Sequence, residues 1–382
     1  MLDNWPYVDL KLRNELNSVI KSNKFNYHTG KFCKKFEKNF AKFHKIKFAH
    51  TVSNATIGLE LALLALNLKK NDEVIVTTRS YFTSVSCINR VGAKVVFADI
   101  KNDLTIDPLD IKKKINQNTK VIICVHISGI PCDMAIIKKI AKKNNLAVVE
   151  DCSQSHGAKI KNKYVGTFGD ISVWSFCNDK IISTLGEGGM VCTNKKNISM
   201  KLWSLKENGK SFHKFYNQNK QNNFKYLHDY IGTNARMTEL QAVAGIYQLK
   251  QLNEFVKKRN LIVSFYKKIL SKSKVFIPII NDSNNICAYY KFPFYLNFNF
   301  IKTGVSYQKI MNDLAKIRKG VTVGCCPDIS KERPFKFLKT KIVNANLISK
   351  KLISLTINHR MNLSDVSKDA KKIKDYFDTI SK

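Results

Sequence analysis

An acid and an amine, Asp151 and Lys180, share the stretch from Ala147 to Asn194 with a hydroxyl, Ser175, and a glycine cluster, Gly186-Glu187-Gly188-Gly189. The acid closes an apolar run, Leu146-Ala147-Val148-Val149, that reads as a buried strand. A carboxylate at the C-terminal end of a strand faces the crevice in which open α/β sheets bind ligands. A lysine beside a hydroxyl and a Gly-rich turn suits a phosphorylated, cationic heteroaromatic cofactor held covalently by the amine. Pyridoxal phosphate (PLP) has those needs: a lysine for a Schiff base, and an acid to keep the ring nitrogen protonated so that the ring is an electron sink. A nearby carboxylate raises that nitrogen's pKa by opposite charge. Taken singly, Lys180 reads as a solvated helix residue and Asp151 as a cap or turn. Their combination in one window points to the cofactor.

Several motifs resemble a known family. Glu150-Asp151-Cys152-Ser153-Gln154-Ser155-His156-Gly157-Ala158, the run Ser175-Phe176-Cys177-Asn178-Asp179-Lys180 with its glycine cluster, and Gly232-Thr233-Asn234-Ala235-Arg236-Met237-Thr238-Glu239-Leu240-Gln241-Ala242 are similar to signatures of the DegT/DnrJ/EryC1/StrS sugar aminotransferases. The resemblance runs from about Gly30 to about Gly245. It implies PLP fold type I (aspartate-aminotransferase-like): an α/β large domain with a mostly parallel sheet between helices, and a smaller C-terminal αβ domain. It also implies a PLP-dependent enzyme that aminates a nucleotide-linked keto-sugar with glutamate as donor. Lys180 would form the Schiff base and shuttle the proton, Asp151 would pair with the ring nitrogen, Tyr81 would stack on the ring and Gln154 would reach its 3-oxygen. Ala55, Thr56 and Ser175 would hold the phosphate, together with Asn234 reaching across from the second subunit of a homodimer. Where the family's phosphate-binding turn has glycine, this chain has Ala55. The alternatives are a PLP or PMP sugar dehydratase, against which Lys180 counts because such relatives carry histidine there, and a non-catalytic regulator on the same fold.

Composition narrows the partners. The net charge of +36 comes almost wholly from lysines spread along the chain, as in Lys112-Lys113-Lys114 and Lys371-Lys372. Nucleic-acid readout favours arginine, so a compositional bias fits better than a nucleic-acid role, although the charge would attract an anionic sugar nucleotide. The start, Met1 to Pro6, lacks a signal peptide's basic and apolar regions, and no apolar run approaches the roughly 18 residues that span a bilayer. Ten cysteines, single except for Cys325-Cys326, suggest reduced thiols in a cytoplasmic protein. The eight histidines form no HxH or HxxxH pair, so no metal site is expected. His126 and His156 read as structural.

These residues need elements to carry them. Leu12, Leu16 and Ile20 recur at helical spacing within an N-terminal arm over 1–48, with a second helix near Phe32 to Phe43. A turn at Thr51 to Thr56 leads into a helix from Ile57 to Leu66, whose N-terminus suits a phosphate or is simply capped by Ser53, Asn54 or Thr56. Strands at 73–76, 94–98, 120–125 and 146–149 alternate with helices at 82–91 and 134–143, the pattern of a parallel sheet covered on both faces. Tyr81, after the first of these strands, has packing on the next helix as its lesser alternative. A polar loop is expected over 207–225, then one long helix from Met237 to Leu270 with Thr238 as its cap. The large domain is placed at 1–249 and the small one at 250–382. Strands at 275–280, 289–296 and 352–357 and helices at 307–315 and 366–380 fill the latter. Cys325-Cys326-Pro327 reads as packing, with the edge of a substrate cleft as the other option.

Overall fold

The computed structural model describes residues 5–217, 227–338 and 340–382. Met1 to Asn4 and positions 218–225 of the expected polar loop lie outside the described residues. The chain runs α1 (Leu10–Ser22), α2 (Phe32–His44), β1 (Phe48–Val52), α3 (Ala55–Ala65), β2 (Glu73–Thr77), α4 (Thr83–Arg90), β3 (Lys94–Ala98), α5 (Pro108–Lys114), β4 (Thr119–Val125), α6 (Met134–Lys143) and β5 (Ala147–Asp151). A hairpin of β6 (Lys159–Ile160) and β7 (Lys163–Tyr164) precedes β8 (Ile171–Ser175) and β9 (Gly189–Thr193). Helices α7 (Lys196–Lys206), α8 (Phe212–Asn217), α9 (Glu239–Leu249) and α10 (Leu252–Leu270) follow. The C-terminal part holds β10 (Phe276–Pro278), β11 (Asn285–Ile286), β12 (Lys291–Leu296), α11 (Tyr307–Ile317), β13 (Val321–Thr322), α12 (Asn344–Ser349), β14 (Leu352–Thr356) and α13 (Leu363–Ile380).

Seven strands form one sheet in the order β1-β9-β8-β5-β4-β2-β3. The pairs from β3 to β8 are parallel, and β9 runs antiparallel to both of its neighbours. Parallel neighbours need crossover connections, which α4 and α6 supply, whereas β8 and β9 are joined by the loop that carries Lys180. The central strands are buried along nearly all their length and rich in Val and Ile. Each fully buried Val or Ile contributes roughly 1.5–3 kcal/mol, so strand positions are well fixed. A second, antiparallel sheet, β10-β12-β14-β13, lies in the C-terminal part, with α10 and α13 packed together.

The structure corrects several expectations. Strand β1 falls where an arm and a turn were expected; His50 and Thr51 mask the β-pattern of an edge strand that pairs only with β9. The predicted helix from Met237 to Leu270 is two helices, broken at Lys250 and Gln251, where Gln251 has φ −102° and ψ −3°. No Gly or Pro marks that break. The polar loop includes the short helix α8 among its described residues. Strand β5 continues through Glu150 and Asp151 rather than stopping before them, and β12 begins at Lys291 rather than Tyr289. Thr238 does cap α9, in a reciprocal capping box with Gln241.

Candidate active site

A cleft of ≈ 1000 Å³ opens at the C-terminal ends of the parallel strands. Asp151 is the last residue of β5, in register with Val125 of β4 and Val173 of β8. Its carboxylate is 4% exposed and lines the cleft. Oδ2 accepts a hydrogen bond from Ser84 Oγ at 2.7 Å, and Oδ1 accepts one from the Ser153 N–H at 3.1 Å. Ser80 Oγ lies 2.8 Å from Ser84 Oγ, so a chain of hydroxyls fixes the acid from α4. Neither serine carries a motif of its own, and the sequence reading missed both.

Ser175 ends β8 opposite Gly189, the first residue of β9. A Cβ on Gly189 would come within 2.7 Å of Asn54 C and 2.9 Å of Ala55 N, so only glycine lets β9 approach the start of α3 this closely. Asn54 caps that helix, its side chain accepting from the Ile57 N–H at 3.0 Å. Helix N-termini offer free N–H groups and a positive dipole end. Asn54, Ala55, Thr56 and Ser175 all line the cleft. The start of α3 therefore both takes an ordinary cap and faces the cavity.

Lys180 sits in the β8–β9 loop, with its N–H donated to Cys177 O at 3.0 Å and its carbonyl accepting from Trp5 Nε1 at 2.9 Å. Its Nζ is 3.2 Å from Asp179 Oδ1 and 3.5 Å from Tyr290 Oη. The Tyr290 hydroxyl also donates to Asp179 Oδ2. Burial pushes the Asp179 pKa up, but the Lys180 ammonium and the Tyr290 phenol hold it below its ordinary value. Burial and then the Asp179 charge push the phenol up, which keeps it a donor. Gln154 lines the cleft and its Oε1 accepts from the Ser128 N–H at 2.7 Å. Tyr81 is 67% exposed at the cleft wall.

The structure thus gathers Ala55, Thr56, Tyr81, Asp151, Gln154, Ser175 and Lys180 around one cavity. Asn234 is not among its lining residues. It is exposed, bridges Glu207 of the backbone, and precedes Ala235, whose carbonyl accepts from the Ser53 N–H at 2.8 Å. Cys325 and Cys326 line the cleft, where Ser80 bridges Cys326, and both also pack against the main hydrophobic core, so the two readings of this pair hold together. Asp179, which the Ser175-to-Lys180 motif contains without assigning it a role, and Tyr290 and Lys291, which no motif announced, are further lining residues.

The two histidines beside the motif are structural, as read. His126 and Glu150 are fully buried. The Cys132 N–H donates to His126 Nδ1 at 3.0 Å, which leaves Nε2–H to donate to Glu150 at 3.1 Å. Burial pushes Glu150 up, but His126 and the N–H groups of Gly169 and Gly166 hold it below the usual carboxylate range. His126, Glu150 and Cys152 offer ligand atoms within 4.8 Å of one another. Both ring nitrogens of His126 are already engaged, so the group acts as a hydrogen-bond network. Burial pushes the His156 pKa well down, which keeps it neutral.

The donor set fits PLP: a buried carboxylate for a ring nitrogen, a lysine amine in the same cavity, and a helix start beside Ser175 and Gly189 for a phosphate. Comparison with known proteins agrees. Residues 6–374 match the model of the DegT/DnrJ/EryC1/StrS aminotransferase family. The chain is 45% identical over 240 residues to the GDP-perosamine synthase of Escherichia coli O157:H7, an alignment that spans 63% of each protein. An aminotransferase from Psychrobacter cryohalolentis has the same fold, with a TM-score of 0.94 and 32% identity over 98% of both chains. Helicobacter pylori PseC, an aminotransferase involved in the biosynthesis of pseudoaminic acid, superposes with a TM-score of 0.87 at 26% identity over 98% of both. The chain belongs to the DegT/DnrJ/EryC1/StrS aminotransferase family, whose cofactor is pyridoxal phosphate.

Proposed function

We propose that this protein is a PLP-dependent aminotransferase that converts a nucleotide-linked keto-sugar to the amino sugar, with glutamate as amino donor, in the supply of surface-glycan precursors. The observation that carries it is the convergence of Asp151, Lys180 and the start of α3 on one cleft. Similarity to the GDP-perosamine synthase favours a GDP-linked sugar. When bound, the cofactor supplies an electron sink for breaking a C–H bond next to nitrogen. Lys180 Nζ would hold the cofactor and, when free, would take up and return the proton that the reaction moves. Asp151, fixed by Ser84 and Ser153, keeps the ring nitrogen protonated. Ser175, Ala55 and Thr56 would hold the phosphate, and Tyr81 and Gln154 would hold the ring.

Four finer readings belong to the same proposal. The enzyme works as a homodimer in which the exposed Asn234 completes the phosphate site of the second copy. The division at 249/250 separates a large from a small domain, supported by the break between α9 and α10. Ten free cysteines favour a reducing, cytoplasmic setting. Among the described residues no helix is long and apolar enough to cross a membrane. The test is direct. Borohydride treatment of the yellow protein should trap the cofactor on the peptide that contains Lys180, and a panel of GDP-, UDP- and dTDP-keto-sugars with glutamate should yield an amino sugar. Trapping at another lysine refutes the site; no product with any keto-sugar refutes the substrate class.

A further inference from the structure

Lys180 has two partners that the chemistry above does not use. Its Nζ sits 3.2 Å from Asp179 Oδ1, 3.5 Å from Tyr290 Oη and 4.8 Å from the centroid of the Tyr290 ring. Tyr290 closes the triangle by donating to Asp179. The partners differ in origin. Asp179 is the chain neighbour of Lys180, whereas Tyr290 immediately precedes β12 of the C-terminal sheet.

The tyrosine is held firmly. Its N–H donates to Ser128 O at 3.0 Å, in the same loop whose Ser128 N–H holds Gln154. Its carbonyl accepts from Arg259 NH1 at 3.3 Å, and that buried guanidinium also binds Tyr289 O at 2.9 Å and Ile357 O at 3.0 Å. Gly129 lies so close that a Cβ there would fall 2.6 Å from Tyr289 N. A group fixed this well and aimed at the reactive amine has a use beyond filling space.

A lysine that is alternately tied to a cofactor and released needs a defined place when released. Its four-carbon stem is flexible, and a freely moving amine is seldom in position to take up and return a proton. We propose that Asp179 and Tyr290 form the resting station of the Lys180 amine, which makes Tyr290 a positioning residue for proton transfer. This rests on the PLP reading above. The hydroxyl donates a hydrogen bond to Asp179 and accepts one from the amine, while the carboxylate supplies the charge.

Two full-length variants, Tyr290→Phe and Asp179→Asn, test the station. In the cofactor-stripped chain, reductive methylation with peptide mass spectrometry reads how free the Lys180 amine is, with the exposed Lys316 as internal reference. Labelling of Lys180 should rise at least about threefold in each variant, since each loses a charge-assisted contact. In the holoenzyme, single-turnover amine transfer by Tyr290→Phe should slow about tenfold with KM for the donor unchanged, the loss of one hydrogen bond to a charged group. Unchanged labelling in both variants overturns the station. A raised KM with unchanged kcat overturns it too, because Tyr290 would then be a substrate contact. Should Tyr290→Phe fail to fold, Asp179→Asn alone decides by its labelling. Failure of the PLP reading looks different: borohydride would not trap Lys180 in the wild type, while the labelling still judges the station.

Discussion

At the scale of residues, Asp151 tests the charge logic of the cleft. Asp151→Asn retains one oxygen to accept from the Ser153 N–H, turns its amide NH2 towards the Ser84 hydroxyl, which can accept in its place, and loses the charge that holds a proton on the ring nitrogen. A charge-assisted hydrogen bond is worth about 1.5–3 kcal/mol, so kcat should fall by about 10- to 100-fold or more, while the thermal transition moves little. Turnover like that of the wild type would make the carboxylate structural. Lys180, Asp151, Gln154 and Ser175 were legible because each sits in a local motif whose spacing brings chemistry together within one loop or strand end. Ser84 and Tyr290 were not, and Cys325 and Cys326 only as the lesser of two options. They reach the cleft from α4 and from the C-terminal part, and only the folded chain makes them neighbours of Asp151 and Lys180.

At the scale of elements, the β9–α3 contact should be unforgiving. In Gly189→Ala the new methyl would meet backbone atoms of Asn54 and Ala55 rather than a flexible side chain. Overpacking of this type costs about 1–3 kcal/mol, and because the start of α3 must shift, the Kd for PLP should rise about tenfold or more by equilibrium dialysis. The loop between β5 and β8 offers a second test. Glu150 gathers the N–H groups of Gly166, Phe168 and Gly169, with His126 on the other side. Its folded pKa is depressed, so its stabilisation is fully present above its unfolded value of about 4.3 and is lost as pH falls through the lower folded one. Glu150→Gln should therefore cost about 1–3 kcal/mol at pH 7, read as a clear fall in Tm, and the gap to wild type should narrow towards pH 3. A gap independent of pH would mean that the carboxylate charge contributes nothing. The alternating strands and helices were readable from their periodicity. The edge strand β1 and the break at Lys250 were not, because pairing and packing from distant residues decide them.

At the scale of the whole molecule, the question is whether one chain holds a complete site. Asn234 stands exposed outside the lining of its own cleft, beside Ile231, which is 99% exposed. In an isologous dimer both sites lie along one two-fold seam. A verified heterodimer of a Lys180→Ala chain with an Asn234→Ala chain then separates two arrangements. Shared sites place both defects in one site and none in the other, so about half of the wild-type activity should return. Self-contained sites leave one defect in each and restore nothing, and that result would refute the role of Asn234, provided that Asn234→Ala alone is clearly impaired.

The pairing of β1 with β9 also sets a timetable for birth on the ribosome. Phe48 meets Thr193 and Val52 meets Gly189, partners separated by about 140 residues of chain. At a synthesis rate of roughly 5–20 residues per second, β1 waits about 7–28 s for its only partner. The phosphate site proposed at the start of α3 would wait as long, since Gly189 packs against Asn54 and Ala55 there, and Tyr290 arrives later still. With the cofactor seated as proposed, a nascent chain shorter than that would offer it no complete site, so PLP would act as a template only for the last part of folding, and an early shortage of it should leave the emerging helices and strands untouched.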